Sequence, residues 1–180
     1  DDSKVTVSGK NFNAVFDKTT GLIISYQVNG TEYVNEGFGL RPFFWRAPID
    51  NEYGARLPRR LSAWKDASYQ DLKAENFNVN KGNTTTISYN YSYPQTKAEN
   101  MVTYTIYNDG TIRVDNSFDA SKSETELIPR IGMRMQLPAN IVNAEYYGRG
   151  PWGNYEDRKT STFIDRYISP INEMVTKYVL

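Results

Sequence analysis

Ile87, Tyr89, Tyr91 and Tyr93 alternate with Ser88, Asn90 and Ser92, and Val102, Tyr104 and Ile106 alternate with Thr and Tyr. Successive side chains of an extended chain point to opposite faces, so each run has one apolar and one polar face; a helix would scatter the same residues around its circumference. Ile112, Val114 and Phe118 continue the rhythm on one parity, with Arg113 and Asp115 on the other. Similar segments rich in Val, Ile, Thr, Tyr and Phe recur along the whole chain, separated by Gly, Asn, Asp and Pro. This is the pattern of an antiparallel all-β domain.

The rhythm predicts strands over 4–8, 12–16, 22–28, 31–34, 87–93, 102–106, 112–118, 130–136, 143–148 and 160–167. Thr19-Thr20-Gly21, Asn29-Gly30 and Asn108-Asp109-Gly110 supply turns, and Asn-Gly suits the positive φ angles of a tight hairpin. Residues 95–100 and 119–125 read as loops. One helix is expected near 58–67, where Pro58 suits a first turn and Leu61 and Trp64 sit three apart.

Composition removes whole classes of function. The 180 residues include no His and no Cys, so there is no histidine base, no cysteine nucleophile and no zinc site of the usual type. Carboxylates, Tyr, Lys, Arg and hydroxyls are what remains for chemistry. A net charge of zero without basic clusters makes nucleic acid and membrane surfaces poor partners. No apolar run approaches the roughly 20 residues of a spanning helix. One domain over 1–180 fits the length. The start at Asp1-Asp2-Ser3 is read as processing, or excision from something larger.

Two segments depart from ordinary strand and turn. Phe43-Phe44-Trp45-Arg46-Ala47-Pro48-Ile49-Asp50-Asn51-Glu52-Tyr53-Gly54 is a stiff, polar corner in which Arg46 has Asp50 or Glu52 as partner and Gly54 offers a hinge. Its structural reading, an aromatic plug with an ion pair, outweighs a ligand site. Tyr146-Tyr147-Gly148-Arg149-Gly150-Pro151-Trp152-Gly153-Asn154-Tyr155-Glu156-Asp157-Arg158-Lys159 sets aromatic faces beside Asn, Arg and acids, the chemistry of sugar recognition. Turn formation is again the stronger reading. A glycosidase acid pair within the chain is disfavoured: Glu156 and Asp157, as strand neighbours, would point apart, and Asp50 and Glu52 have an arginine to hand.

Residues 44–54 and 147–158 resemble the two signature stretches of the C-terminal domain of family-two bacterial β-galactosidases. The order is kept by Trp64-Lys65 after the first, and by Phe163-Ile164-Asp165-Arg166-Tyr167 and Tyr178-Val179 after the second. The resemblance implies a large antiparallel β-sandwich of the galactose-mutarotase-like supersandwich type, incomplete at Leu180. It implies a supporting role in retaining hydrolysis of terminal β-D-galactosides such as lactose, performed by a separate barrel domain that carries both catalytic glutamates. It places no catalytic residue, metal ligand or cofactor in this chain. Gly54, Ala55, Arg56 and Leu57 take the place of a mobile loop over the galactose pocket. Trp45, Arg46, Asp50, Asn51, Tyr147, Arg149, Trp152, Asn154 and Tyr155 are the signature positions with possible sugar contact. The family's sugar-pocket Trp comes from a stretch later than Tyr178-Val179, and Gly153 stands where the family often has a bulkier polar residue.

The implied partners are barrel and immunoglobulin-like domains of a parent enzyme and its β-galactoside substrate, with a homo-oligomer through an exposed sheet edge. The expected compartment is the periplasm, with the cytoplasm as the alternative. Of two rival readings, one is a free-standing carbohydrate-binding module stacking sugar on Trp45, Tyr147, Trp152 or Tyr155. The other, a mutarotase-like epimerase, is disfavoured by the absence of His.

Overall fold

The computed structural model describes residues 2–151, 154 and 156–174. The chain divides into two compact units, Asp1–Leu137 and Pro138–Leu180. The molecule is mostly β, with several antiparallel sheets and a few short helices.

The first unit opens with a meander of β1 (Lys4–Ser8), β2 (Phe12–Asp17), β3 (Ile23–Val28) and β4 (Thr31–Glu32). The β3–β4 turn bears out the reading of Asn29-Gly30: Val28 pairs with Thr31, and Asn29 and Gly30 have φ of 51° and 82°. Both central residues of such a turn need positive φ, which Asn tolerates and Gly adopts freely. Glu32 then fastens the sheet to the following chain. Its Oε1 accepts from the amides of Tyr26, Tyr33 and Val34 at 2.9, 3.0 and 2.8 Å, and its Oε2 from the Ser25 hydroxyl at 2.5 Å.

After the short β5 (Arg41–Phe43) come three helices, α1 (Asp50–Gly54), α2 (Leu57–Arg60) and α3 (Ser62–Tyr69). The expected single helix is therefore longer and broken. Within the expected span the break falls at Leu61, with φ of −108° and ψ of 16° between α2 and α3, while Arg56, at φ 56°, stops α1 from running into α2. Leu61 and Trp64 are both buried, as their spacing suggested.

A second meander follows: β6 (Glu75–Lys81), β7 (Thr85–Tyr93), β8 (Ala98–Ile106) and β9 (Ile112–Asp119). Strand β8 starts inside the stretch expected to be loop, because Ala98 and Asn100 face the core. The register sets large against small across β7 and β8: Tyr89 faces Val102, Tyr91 faces Asn100 and Tyr93 faces Ala98. That alternation lets the tyrosine rings lie on one face without overpacking. One core cluster takes Phe12, Ala14, Phe16 and Ile23 from the first meander and the β7 and β8 inner faces from the second. Phe16 meets Tyr104 edge-on at 5.1 Å, and the Tyr26 hydroxyl donates to Gly110 O at 2.8 Å. Gly110, at φ 92°, lies so near Phe12 that a Cβ would stand 3.0 Å from the ring. Strand β10 (Gly132–Arg134), shorter than expected, pairs with β5.

The second unit contains the antiparallel pair β11 (Asn143–Gly150) and β12 (Phe163–Pro170). Residues Glu156–Ser161, partly assigned to a strand from sequence, form a 3-10 helix.

Burial alone would raise the Glu32 pKa, but the bonds from Ser25, Tyr26 and Val34 outweigh it and hold the carboxyl below its ordinary 4.5. A depressed folded-state pKa means that the stabilisation is complete above about that ordinary value and is lost as pH falls through the depressed one. Glu32→Ala should lower stability by about 1–3 kcal/mol at pH 7. Urea unfolding midpoints of variant and parent should converge as the pH is taken below the ordinary glutamate range of about 4; parallel curves down to acid pH would contradict this.

Candidate functional site

The corner that follows β5 is fixed from beneath. Phe44 is fully buried, with ring centroids 4.9 Å from Phe118, 5.0 Å from Tyr93 and 5.6 Å from Trp64. Its amide donates to Ser68 Oγ at 2.9 Å, and that hydroxyl donates to Trp64 O at 2.7 Å. Trp64 Nε1 in turn donates to Thr125 Oγ1 at 2.9 Å. A buried aromatic whose neighbouring polar groups are hydrogen-bonded in this way is a rigid platform.

On this platform Arg46 forms an ion pair with Glu52, the acid named with Asp50 as its possible partner. Glu52 Oε2 also accepts from the Ile49 amide at 3.0 Å, so one carboxylate caps α1 and neutralises the half-buried guanidinium. Trp45, Arg46, Pro48, Glu52, Leu57 and Pro58 line a narrow cleft, completed by Leu61 and Pro129. Of the predicted positions, Trp45, Arg46 and Leu57 therefore share one cleft. Asp50, Asn51, Gly54, Ala55 and Arg56 are exposed. Gly54 ends α1 in open space, with room for a side chain, while the left-handed residue is Arg56. Sequence reasoning had no signal for Arg56, since that conformation favours Gly or Asn. It also missed Pro129 and the ion pair of Arg60 with Glu126, which come from distant parts of the chain.

In the second unit, Arg149 is turned to structure. Its Nη1 donates to the carbonyls of Lys159 and Thr162 at 3.0 and 2.9 Å. Asn154 Oδ1 accepts from the Thr162 hydroxyl at 3.3 Å. Thr162, buried and absent from the sequence reading, is thus the centre of this turn. Tyr147 is the opposite case, 80% exposed on β11. Trp152 and Tyr155 lie outside the described residues.

Chemically, the corner holds one committed acid. Among the described residues there is no group of three or more metal-ligating side chains. Burial pushes the hydroxyls of Tyr91 and Tyr93 far above the ordinary tyrosine range and that of Tyr104 up to about 12, so these core phenols stay neutral. Glu52→Ala should destabilise the fold by about 1–3 kcal/mol, because it removes the α1 cap and leaves the Arg46 charge half-buried without its partner. Asp50→Ala, at an exposed position, should change thermal unfolding little. Equal effects from the two would contradict the assignment.

The beta galactosidase small chain family matches residues 8–180. A beta-galactosidase of Priestia megaterium is 38% identical over 97% of this chain, and one of Clostridium acetobutylicum is 33% identical over 87%. That of Halalkalibacterium halodurans is 29% identical over 99%. The chain spans only 17–18% of the length of these curated relatives, and the match falls in their C-terminal region. With a family match over nearly every residue, the chain belongs to the beta galactosidase small chain family.

Proposed function

We propose that this chain is a non-catalytic sandwich domain of a β-galactosidase, which walls and gates the galactose pocket while a barrel domain elsewhere in the polypeptide performs retaining hydrolysis. The observation that carries this reading is the corner: a rigid floor made by Phe44, Arg46 and Glu52 supports α1 and the residues after it, of which Asp50, Asn51 and residues 53–56 are exposed. A fixed base under a projecting loop is the arrangement a gate requires. Of the two acids in that corner, Glu52 is held by Arg46 and the Ile49 amide and does not offer a free carboxylate. On this reading the two four-stranded meanders are the layers of the sandwich. Barrel and immunoglobulin-like domains are its covalent partners, no cofactor binds within these residues, and the periplasm is the compartment. A homo-oligomer through a sheet edge belongs to the same proposal.

The 180-residue protein should not hydrolyse a chromogenic β-galactoside; measurable turnover would sink the proposal. A second reading, a carbohydrate-binding module, draws support from Tyr147, whose side chain is open to solvent on β11. Calorimetry with galactose and lactose separates the two. No heat is expected from the gating domain alone, whereas millimolar or tighter binding lost in a folded Tyr147→Ala protein would establish the module.

A further inference from the structure

The outer face of the β5–β10 ribbon carries charge that no carboxylate answers among the described residues. Arg41 and Arg134 are direct cross-strand partners, and Phe43 faces Gly132 on the same side. Like charges set opposite one another on a strand pair repel, so sequence and fold place them there against an electrostatic cost. Aromatic rings offset part of it. The Arg41 guanidinium lies 3.6 Å from the Phe38 centroid, and that of Arg134 lies 4.5 Å from Phe43, 4.6 Å from Tyr69 and 5.3 Å from Phe38. Arg130 joins the same surface, 5.8 Å from the Phe43 centroid.

Hydrogen bonding leaves the cluster unfinished. Arg41 Nε and Arg134 Nη2 each reach a backbone carbonyl, of Gly39 and Ser68, at a long 3.4 Å. Arg134 Nε is buried and has no partner among the described residues. None of the three arginines forms an ion pair with a carboxylate among those residues. A buried guanidinium donor without an acceptor is costly, and two planar forks side by side match the geometry of a carboxylate. Tyr69, 55% exposed, and the half-buried Phe38 and Phe43 add ring faces around the forks. Arginine and aromatic side chains packed together are the composition of protein–protein hot spots.

We infer that Arg41, Arg134 and Arg130, framed by Phe38, Phe43 and Tyr69, form a docking site for an Asp or Glu side chain from a part of the parent polypeptide outside these 180 residues. This rests on the chain being a domain of a larger β-galactosidase. Charge complementarity selects an acidic occupant, and the length of the curated relatives beyond the matched region supplies a polypeptide to carry it.

The test uses the intact parent polypeptide carrying Arg134→Lys, with Arg41→Lys as a second variant should the first fail to fold. Each puts a primary amine where the fork stood. Carbodiimide joins such an amine to a carboxylate only in direct contact, and peptide mass spectrometry then reads the pair. The expected result is a cross-link, absent from the unsubstituted protein, between residue 134 or 41 and an Asp or Glu beyond residues 1–180. A link to a carboxylate within residues 1–180, a link to a second copy, or no link in either folded variant would overturn the inference. A separate arm titrates sodium acetate against sodium chloride at equal ionic strength. If acetate selectively raises the unfolding midpoint of the intact polypeptide, and the rise is lost in Arg134→Gln, the site serves a free anion and the docking assignment is wrong. Assaying the same unsubstituted polypeptide for β-galactoside hydrolysis tests the parent reading by itself, since the cross-link is read whether or not the protein is active.

Discussion

The buried contact of Phe44 with Trp64, Tyr93 and Phe118 is the constraint on which the rest of the first unit depends. It joins β5 to α3 and to the second meander at one point, and it fixes where the chain leaves the core. Ser68 makes that junction directional by accepting from the Phe44 amide and donating to Trp64 O. Packing alone would tolerate sliding between similar rings; hydrogen bonds buried beside them do not. The Arg46–Glu52 pair inherits its position, because Phe44 ahead of it and Trp64 beyond it are both already anchored.

What the sequence made legible was whatever depends on nearest neighbours. The alternating tyrosines of β7, the parity of β9 and the Asn29-Gly30 hairpin are local patterns, and each stands in the structure as read. Strand β6 was not legible, because its sequence Glu-Asn-Phe-Asn-Val-Asn-Lys has only Phe77 and Val79 to mark an inner face. The extent of the helices was hidden for a different reason. α1 is five residues long and held by Glu52 rather than by propensity, and Arg56 breaks the helical run in a conformation its side chain does not advertise.

At the candidate site the divide is the same. The ionic partner of Arg46 lay six residues away and was among those named, whereas Pro129, Thr125 and Glu126 come from loops more than sixty residues distant. Motifs pointed to Arg149 and Asn154 as polar groups near a sugar, and in the structure both hydrogen-bond to Thr162. A short motif records which side chains are needed, and leaves open whether their partner is a ligand or the chain's own backbone.

The two meanders also set an order of assembly. Within each, strands pair with sequence neighbours, so hairpin closure is local and fast; the Phe16–Tyr104 contact closes a loop of nearly ninety residues and must come later. A ribosome adding roughly 5–20 residues per second needs about 4–16 s to pass from the end of β3 to the end of β8. Throughout that interval Phe12, Ala14 and Phe16 have emerged without the surface that will cover them. The nascent first meander is therefore the stretch of this polypeptide with the longest wait, and the natural point of engagement for a chaperone that shields hydrophobic strands.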